Sequence, residues 1–211
     1  MFRELSRRCF AAAYDTINGP AERAGLRERR RTLLARAAGA TIEIGAGTGL
    51  NLPHYPAAVG RLVLVEPDPH MRRRLRAHAR GPGRVTEILD ASAEQLPFPD
   101  SSFDTAVVTF ALCSVPEEQR ALAEIARVLR PGGRLLFLEH VRSADPKVAA
   151  RQDKRPFPYP LIGCHPNRAT LEAIEASPLT VESVLRGEVP KVPRVESPMI
   201  VGSARRPAPG V

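Results

Sequence analysis

The sequence has few of the features that mark secreted, membrane-spanning or metal-rich proteins. No apolar run approaches the roughly 18 residues of a membrane span, and residues 1–6 lack the apolar core of a signal peptide. The three cysteines, Cys9, Cys113 and Cys164, show no paired spacing, which argues against a disulfide framework and against a zinc site. These absences predict a cytoplasmic protein with no transmembrane segment and no bound metal.

Lysine is also scarce, at three of 211 residues, and arginine supplies nearly all of the positive charge. The net charge of +8 would permit binding to nucleic acid or to an anionic membrane surface. However, aromatic residues make up only 5% of the chain, and no segment interleaves basic and aromatic side chains as single-strand binding requires. Solvated arginine faces are therefore the favoured interpretation, and no nucleic-acid partner is expected.

The most informative stretch is residues 41–49, an apolar run that leads into Gly45, Gly47 and Gly49. Glycine permits positive φ and lets a ligand approach backbone N–H groups without meeting a Cβ. Those N–H groups and the N-terminus of the helix expected to follow favour a negatively charged or carboxylate-bearing ligand. A second apolar run ends at Glu66, at about the 20-residue spacing that lets an acid reach ribose hydroxyls in nucleotide-binding α/β folds.

The glycine spacing separates two classes of ligand. Dinucleotide folds usually show G-x-G-x-x-G, whereas here the glycines stand at every second position and Glu43 lies two residues ahead of them. This pattern resembles motif I of the class I S-adenosylmethionine (SAM) methyltransferases. Residues 95–104 resemble the segment before strand four of those enzymes, and residues 127–135 resemble their turn into strand five. The resemblance implies SAM as cofactor and S-adenosylhomocysteine as product.

The same resemblance implies a fold. It is an α/β, Rossmann-like, doubly wound sheet of seven strands in the order 3-2-1-4-5-7-6, with the last strand antiparallel and helices flanking the sheet. The predicted strands are residues 41–44, 62–65, 85–89, 104–110, 134–139, 180–185 and 199–204. We expect one structural domain overall, with an N-terminal helical cap (1–38), a methyltransferase domain (39–205) and a flexible tail (206–211), as a monomer or homodimer.

Two helices are predicted ahead of the sheet. The first covers residues 2–16 and is broken by the Asn-Gly-Pro sequence at 18–20, and the second begins at Pro20 and ends near Ala38. The second helix is expected to expose four arginines, Arg27, Arg29, Arg30 and Arg31. In the family such helices often cap the cofactor pocket, which would bring Tyr14 near the ligand; the alternative is that Tyr14 is a core aromatic.

The resemblance also implies a set of cofactor-binding residues. They are Glu43, Gly45, Ala46, Gly47, Gly49, Asn51, Glu66, Pro67, Met71, Ser92, Ala93, Glu94, Thr109, Phe110 and Ala111. Met71 is expected to pack on the adenine ring, with ordinary helix core as the alternative. Ser92 stands where many relatives have an acid that accepts a hydrogen bond from the adenine amino group. This departure leaves the role of Glu94 open.

The loop after strand four should border both the cofactor and the methyl acceptor. It lacks the Asn/Asp-Pro-Pro-aromatic sequence of enzymes that methylate base amines and the Pro-Cys of the cytosine carbon-5 enzymes. The predicted substrate-binding residues are Tyr14, Cys113, Ser114, His140 and His165. Cys113 is expected to be a small buried residue and not a nucleophile. His140 and His165 are the candidate catalytic bases, or else structural hydrogen-bonding residues.

A narrower resemblance rests on residues 112–115, 138–141 and 163–168. These segments resemble the UbiE-like small-molecule methyltransferases related to the animal alkyl-thiol methyltransferases, which implies a small-molecule acceptor such as a thiol, a phenol or another O, S or C nucleophile. Because the sulfonium is already activated, positioning is the main requirement. The alternatives are an RNA methyltransferase, a SAM-binding protein without catalysis and an oxidoreductase, the last disfavoured by the glycine spacing.

Overall fold

The computed structural model describes residues 2–80, 86–154 and 163–208. In chain order the elements are α1 (Phe2–Ala21), a π-helical segment (Glu22–Leu26), α2 (Arg27–Leu34), β1 (Gly39–Ile44), a 3₁₀ turn (Leu52–His54), β2 (Val59–Val65), α3 (Pro69–His78), β3 (Thr86–Leu89), β4 (Phe103–Thr109), α4 (Glu118–Val128), β5 (Leu129–His140), α5 (Pro146–Asp153), α6 (Thr170–Glu175), β6 (Thr180–Glu188) and β7 (Pro198–Arg205).

The seven strands form one sheet in the order β3-β2-β1-β4-β5-β7-β6. Strand β1 pairs in parallel with β2 and β4, β2 pairs in parallel with β3, and β4 pairs in parallel with β5. Only β7 is antiparallel, to both β5 and β6. The predicted fold class and strand order are therefore confirmed, although Val85 of the predicted third strand lies outside the described residues.

The central strands are buried on both faces. Alternate residues of β2 enter different hydrophobic cores: Val63 belongs to the same core as Leu122 of α4, whereas Leu64 belongs to the same core as Leu34 of α2. All four side chains are 0% exposed. Helices on both faces of a parallel sheet explain why its strands have continuous apolar sequences.

The N-terminal helices differ from the prediction. Helix α1 continues through the Asn-Gly-Pro sequence at 18–20 and ends at Ala21. The kink comes later, at Gly25, where φ is 127°, a conformation that side-chain-bearing residues rarely adopt. Ala21 and Leu26, on either side of the kink, are each 2% exposed. Burial of these two residues stabilises the helical conformation more than Pro20 destabilises it.

The segment after β1 also differs from the prediction. Between the glycines and β2, where every residue is described, the chain forms no α-helix and only the short 3₁₀ turn Leu52–His54. Pro53 and Pro56 were expected to shorten a helix here, and the described chain shows that they reduce it to this single turn. The ligand-facing N–H groups therefore belong to the glycine turn itself.

The loop over the carboxyl edge of the sheet contains helix α5, with Asp145 as its N-cap residue. At the other end of β5, the Arg206 N–H donates to the Gly133 carbonyl, and the Gly132 N–H donates to the Arg206 carbonyl. Within the described ranges, no helix is both long enough and apolar enough to cross a membrane.

Candidate active site

A cleft of about 760 Å³ lies at the carboxyl edge of the sheet. It borders the glycine turn after β1, the end of β2, the start of α3, the loop after β3 and the loop after β4. The predicted site residues that line it are Tyr14, Gly45, Gly47, Glu66, Pro67, Met71, Ser92, Ala93, Glu94, Thr109, Phe110, Ala111 and Ser114. The fold thus brings residues from separate motifs to one cavity.

The glycine turn is held close to both neighbouring strands. The N–H groups of Gly45 and Ala46 both donate to the Val65 carbonyl, at 2.9 and 3.0 Å. A Cβ on Gly45 would lie 2.5 Å from the Ala111 Cβ, and φ at Gly45 is 70°. Gly47 also has positive φ, 58°, but a Cβ there would meet no atom within 4 Å. Glycine at 45 is therefore required by packing as well as by conformation.

Glu66 is fixed at the end of β2 by backbone hydrogen bonds. Its Oε2 accepts from the Gly47 N–H and its Oε1 accepts from the Asp68 N–H, both at 2.8 Å. Burial raises the pKa of Glu66, although these two hydrogen bonds oppose the shift. Each carboxylate oxygen keeps a further lone pair, so the side chain can also accept from hydroxyl groups in the cleft.

A buried polar network lies beside the glycine turn. Glu43 accepts hydrogen bonds from Asn51 Nδ2 at 2.9 Å and from the Tyr55 hydroxyl at 2.6 Å. Burial raises the pKa of Glu43 to about 7. Asn51 Nδ2 also donates to Thr109 Oγ1 at 2.9 Å. Glu43, Asn51 and Ala46 border a cavity of about 20 Å³ and not the main cleft, so they brace the turn from behind.

Arg30 joins this network, which corrects the prediction that it faces solvent. The residue is 4% exposed, and its Nε donates to Glu22 Oε1 at 2.9 Å. Its Nη1 donates to Asn51 Oδ1 at 2.9 Å and to Thr109 Oγ1 at 3.0 Å. Arg30 lies in the first turn of α2, which begins two residues after the kink at Gly25. Of the four arginines expected to be exposed, Arg27 and Arg31 are exposed and Arg29 is half-buried.

The loop after β4 is supported by Glu139, a residue that sequence reasoning missed. This side chain is 0% exposed and accepts hydrogen bonds from the N–H groups of Ala111, Leu112 and Cys113, at 2.9, 3.1 and 3.4 Å. Burial raises the pKa of Glu139 to about 7. The sequence does contain a signal for Glu139, because it is a single acidic residue that directly follows the apolar residues 135–138.

A second support comes from Arg168, which lies before α6. Its guanidinium donates to the carbonyl oxygens of Leu112 and Val115. The loop after β4 is therefore held through its N–H groups by Glu139 and through its carbonyl groups by Arg168. Phe110 at the start of the loop has φ of 55°, a conformation uncommon for a bulky residue, and such strain clusters at functional sites.

Helix α1 covers the cleft on the glycine-turn side. Tyr14 lines the cleft, and burial raises the pKa of Tyr14 to about 12, so the phenol stays protonated at neutral pH. Asp15 accepts from Thr48 Oγ1 at 2.5 Å and from Arg74 Nη2 at 2.8 Å. Arg7 forms an ion pair with Asp68 at 2.7 Å. These contacts tie α1 to the glycine turn and to α3.

Four predicted site residues lie outside the lining of either cavity: Gly49, Cys113, His140 and His165. The His140 ring lies against the Phe110 ring, with centroids 4.5 Å apart. The His165 N–H donates to the Cys113 carbonyl at 2.8 Å. The hydrogen bond from Cys164 and burial raise the pKa of Cys113, as expected for an inert thiol. The role of either histidine as a base stays a prediction.

Comparison with known proteins identifies relatives of this chain. A family profile described as a methyltransferase domain matches residues 42–137. The chain is 39% identical over 136 residues to the ubiquinone/menaquinone biosynthesis C-methyltransferase UbiE of Hahella chejuensis, an alignment covering 61% of this chain and 54% of that protein. It is 34% identical over 170 residues to a phosphatidylethanolamine N-methyltransferase of Cereibacter sphaeroides, covering 79% and 82%. The chain thus spans about half the length of the first relative and most of the second.

Solved structures show the same fold. The N-methyltransferase NodS of Bradyrhizobium japonicum, crystallised with S-adenosylhomocysteine, matches with a TM-score of 0.68 at 17% sequence identity. The match covers 89% of this chain and 88% of that chain. Fold and site together define a class I SAM-dependent methyltransferase, and SAM is the cofactor of that class. Within it, the chain belongs to the UbiE-like group, since it is also 31% identical over 192 residues to the UbiE of Pseudomonas fluorescens, an alignment that covers 78% of this chain and 75% of that protein.

Proposed function

We propose that this protein transfers the methyl group of SAM to a small-molecule acceptor that enters the cleft beside the loop after β4. The main observation in support is that one continuous cleft borders both the glycine turn with Glu66 and the segment from Ser114 to Pro116. A donor and an acceptor can therefore meet in one cavity. Positioning and exclusion of water are the main requirements of displacement at a sulfonium.

The cofactor half of the cleft suits SAM. Glu66, fixed by two backbone N–H groups, would accept hydrogen bonds from the ribose hydroxyls. Met71 and Ala93 line the part of the cleft beyond Glu66, where the adenine would lie. Gly45 and Gly47 would leave room for the amino-acid end, because neither carries a Cβ. Ser92 lies in the same lining and would take the place of the acid found in relatives.

The acceptor half favours a group that needs little help to lose a proton. Tyr14 lines the cleft on the glycine-turn side, and its raised pKa makes it a hydrogen-bond donor and not a base. Neither candidate histidine lines the cleft. A thiol is partly ionised near neutral pH, whereas the carbon and nitrogen acceptors implied by the names of the two relatives would have to rely on their own acidity or nucleophilicity. We therefore place thiols first, followed by acidic phenols.

Calorimetric titration with SAM, with NADH as the control ligand, tests the cofactor assignment. We expect Gly47→Arg to abolish SAM binding without unfolding the protein, because the new side chain enters the cleft. Gly60→Arg is the matched control, since Gly60 is exposed and has open space around it. Equal losses in the two variants, or no SAM affinity in the parent protein, would contradict the assignment.

The acceptor is tested on the same sample with a panel of thiols, phenols, quinols and amines, scored by release of S-adenosylhomocysteine. Turnover on a thiol supports the full proposal. Turnover confined to another class would move the acceptor to that class. SAM binding with no turnover on any small molecule, together with methylation of added RNA, would replace the small-molecule proposal.

A further inference from the structure

Three potential metal ligands from separate parts of the chain meet behind the wall of the cleft. Cys113 lies in the loop after β4, His140 ends β5, and Cys164 lies in the segment before α6. Their ligand atoms all lie within 4.8 Å of one another. Spacing along the chain predicts no zinc site, because Cys113 and Cys164 are 51 positions apart. Their proximity is a product of the tertiary structure.

The distance between the two sulfur atoms fits a shared metal ion. Cys113 Sγ and Cys164 Sγ are 3.7 Å apart. Two thiolates on one tetrahedral zinc, each about 2.3 Å from the metal, would lie about 3.8 Å apart. A disulfide would require about 2.0 Å. The pair therefore already has the separation that zinc coordination needs.

The histidine supplies an independent observation. His140 Nδ1 is buried and has no hydrogen-bond partner among the described residues. Buried polar atoms without a partner are rare in native proteins and call for an explanation, and a bound metal ion would provide one. The ring is kept in place by Phe110, at 4.5 Å between centroids. The imidazole is also within hydrogen-bonding reach of the Cys113 side chain, so a metal ion at the cluster would replace that contact.

The surroundings are already ordered for binding. Cys113 is 2% exposed and Cys164 is 8% exposed. The backbone of Cys113 is held at both polar groups, because its N–H donates to Glu139 and its carbonyl accepts from the His165 N–H. Two thiolates would neutralise a divalent cation, so binding would place no net charge in this buried cluster.

We infer that Cys113, His140 and Cys164 bind one zinc ion through two thiolates and one imidazole. Thiolate and imidazole ligands select zinc over magnesium or calcium, which prefer oxygen. Three protein ligands are typical of sites that keep the fourth position for an exogenous ligand. Ser114 and Gly163, the neighbours of the two cysteines, line the cleft. A water molecule would then be the fourth ligand.

The test is metal binding to the full chain, kept in a phosphine reductant and stripped of metal with a chelator. Zinc is titrated against a chromogenic chelator, and cobalt(II) is added separately to look for thiolate-to-cobalt absorption. We expect one metal per chain. Cys113→Ser, Cys164→Ser and His140→Gln should each weaken binding by about 100-fold or more, beyond the roughly 10–100-fold cost of losing an outer-sphere partner.

Cys9→Ser is the matched control, because Cys9 is exposed and lies in α1. It should leave the zinc affinity and the cobalt spectrum unchanged. SAM affinity and the thermal midpoint are measured for every variant, so that failure of the fold or of the SAM site is recognised separately. The cobalt spectrum of the parent protein requires no substitution and remains decisive if a cysteine variant does not fold.

Two results would overturn the inference. One is a parent protein that gives no thiolate-to-cobalt absorption and no zinc binding above that of Cys113→Ser. The other is zinc binding that Cys9→Ser reduces as much as Cys164→Ser does. A third outcome combines two observations: no metal binds while the reductant is present, and a Cys113–Cys164 disulfide forms once the reductant is removed. That outcome would show a redox pair in place of a metal site.

Discussion

The two walls of the cleft are built in different ways. The glycine-turn wall comes from two nearby stretches, in which Gly45 is bonded to the end of β2 and Glu66 accepts from Gly47. The wall after β4 depends on distant residues, because Glu139 holds its N–H groups and Arg168 holds its carbonyl groups. A wall made from local sequence can be recognised as a motif, whereas a wall assembled from remote residues cannot.

Arg30 connects the two walls, and its removal should have the largest effect. Arg30→Ala leaves the Glu22 carboxylate buried without its ion-pair partner and removes donors to Asn51 and Thr109. We expect the free energy of unfolding in urea to fall by about 3–5 kcal/mol, with loss of SAM affinity. Arg31→Ala, an exposed neighbour paired with Glu28, should change neither. Similar results for both variants would show that Arg30 does not join the walls.

Glu139→Gln tests the wall after β4 alone. The amide keeps an oxygen that can accept from two loop N–H groups, but it places a donor towards the Cys113 N–H. We expect a loss of about 1–3 kcal/mol in the free energy of unfolding, the cost of one unsatisfied buried group. Methyl transfer should fall more than SAM affinity does. Glu87→Gln, at an exposed position, serves as the control. If Glu139→Gln lowered SAM affinity more than turnover, Glu139 would not act mainly on the wall after β4.

Two alanine substitutions compare positions within the glycine-turn wall. Gly45→Ala would place a Cβ 2.5 Å from the Ala111 Cβ, whereas Gly47→Ala meets no atom within 4 Å. Both positions have positive φ, so the backbone strain is shared. We expect Gly45→Ala to be less stable than Gly47→Ala by about 1 kcal/mol or more, because of overpacking. Urea denaturation measures the difference, and equal stabilities would show that the contact with the wall after β4 is loose.

The smallest effect is a change in pH dependence. Burial raises the pKa of Glu43 from 4.5 to about 7, so the folded protein binds more protons than the unfolded chain between these values. This group therefore makes stability fall as pH rises from about 4.5 to 7 and contributes no further slope above that range. Glu43→Gln should make the fall between pH 5 and 7 shallower. An unchanged slope in urea midpoints would mean that Glu43 is ionised throughout.

Much of the site on the glycine side could be predicted from the sequence. Gly45, Gly47, Glu66 and Met71 line the cleft, since their positions follow from short strands and tight turns. Cys113 and His140 were correctly placed near the carboxyl edge, because parallel strands end there together. Their separation from the cleft by Phe110 and the loop backbone could not be predicted, since it depends on how that loop turns after β4.

The sequence by itself determined the strand order, the family and the glycine-turn half of the site, because short motifs encode local backbone geometry. Only the tertiary structure decided that α1 passes Pro20, that Arg30 faces inward and that Glu139 supports the loop after β4. It also decided that Cys113, His140 and Cys164 meet. Each of these outcomes depends on packing between segments far apart in the chain. The hydrophobic periodicity and the motif spacing of a sequence do not predict such contacts.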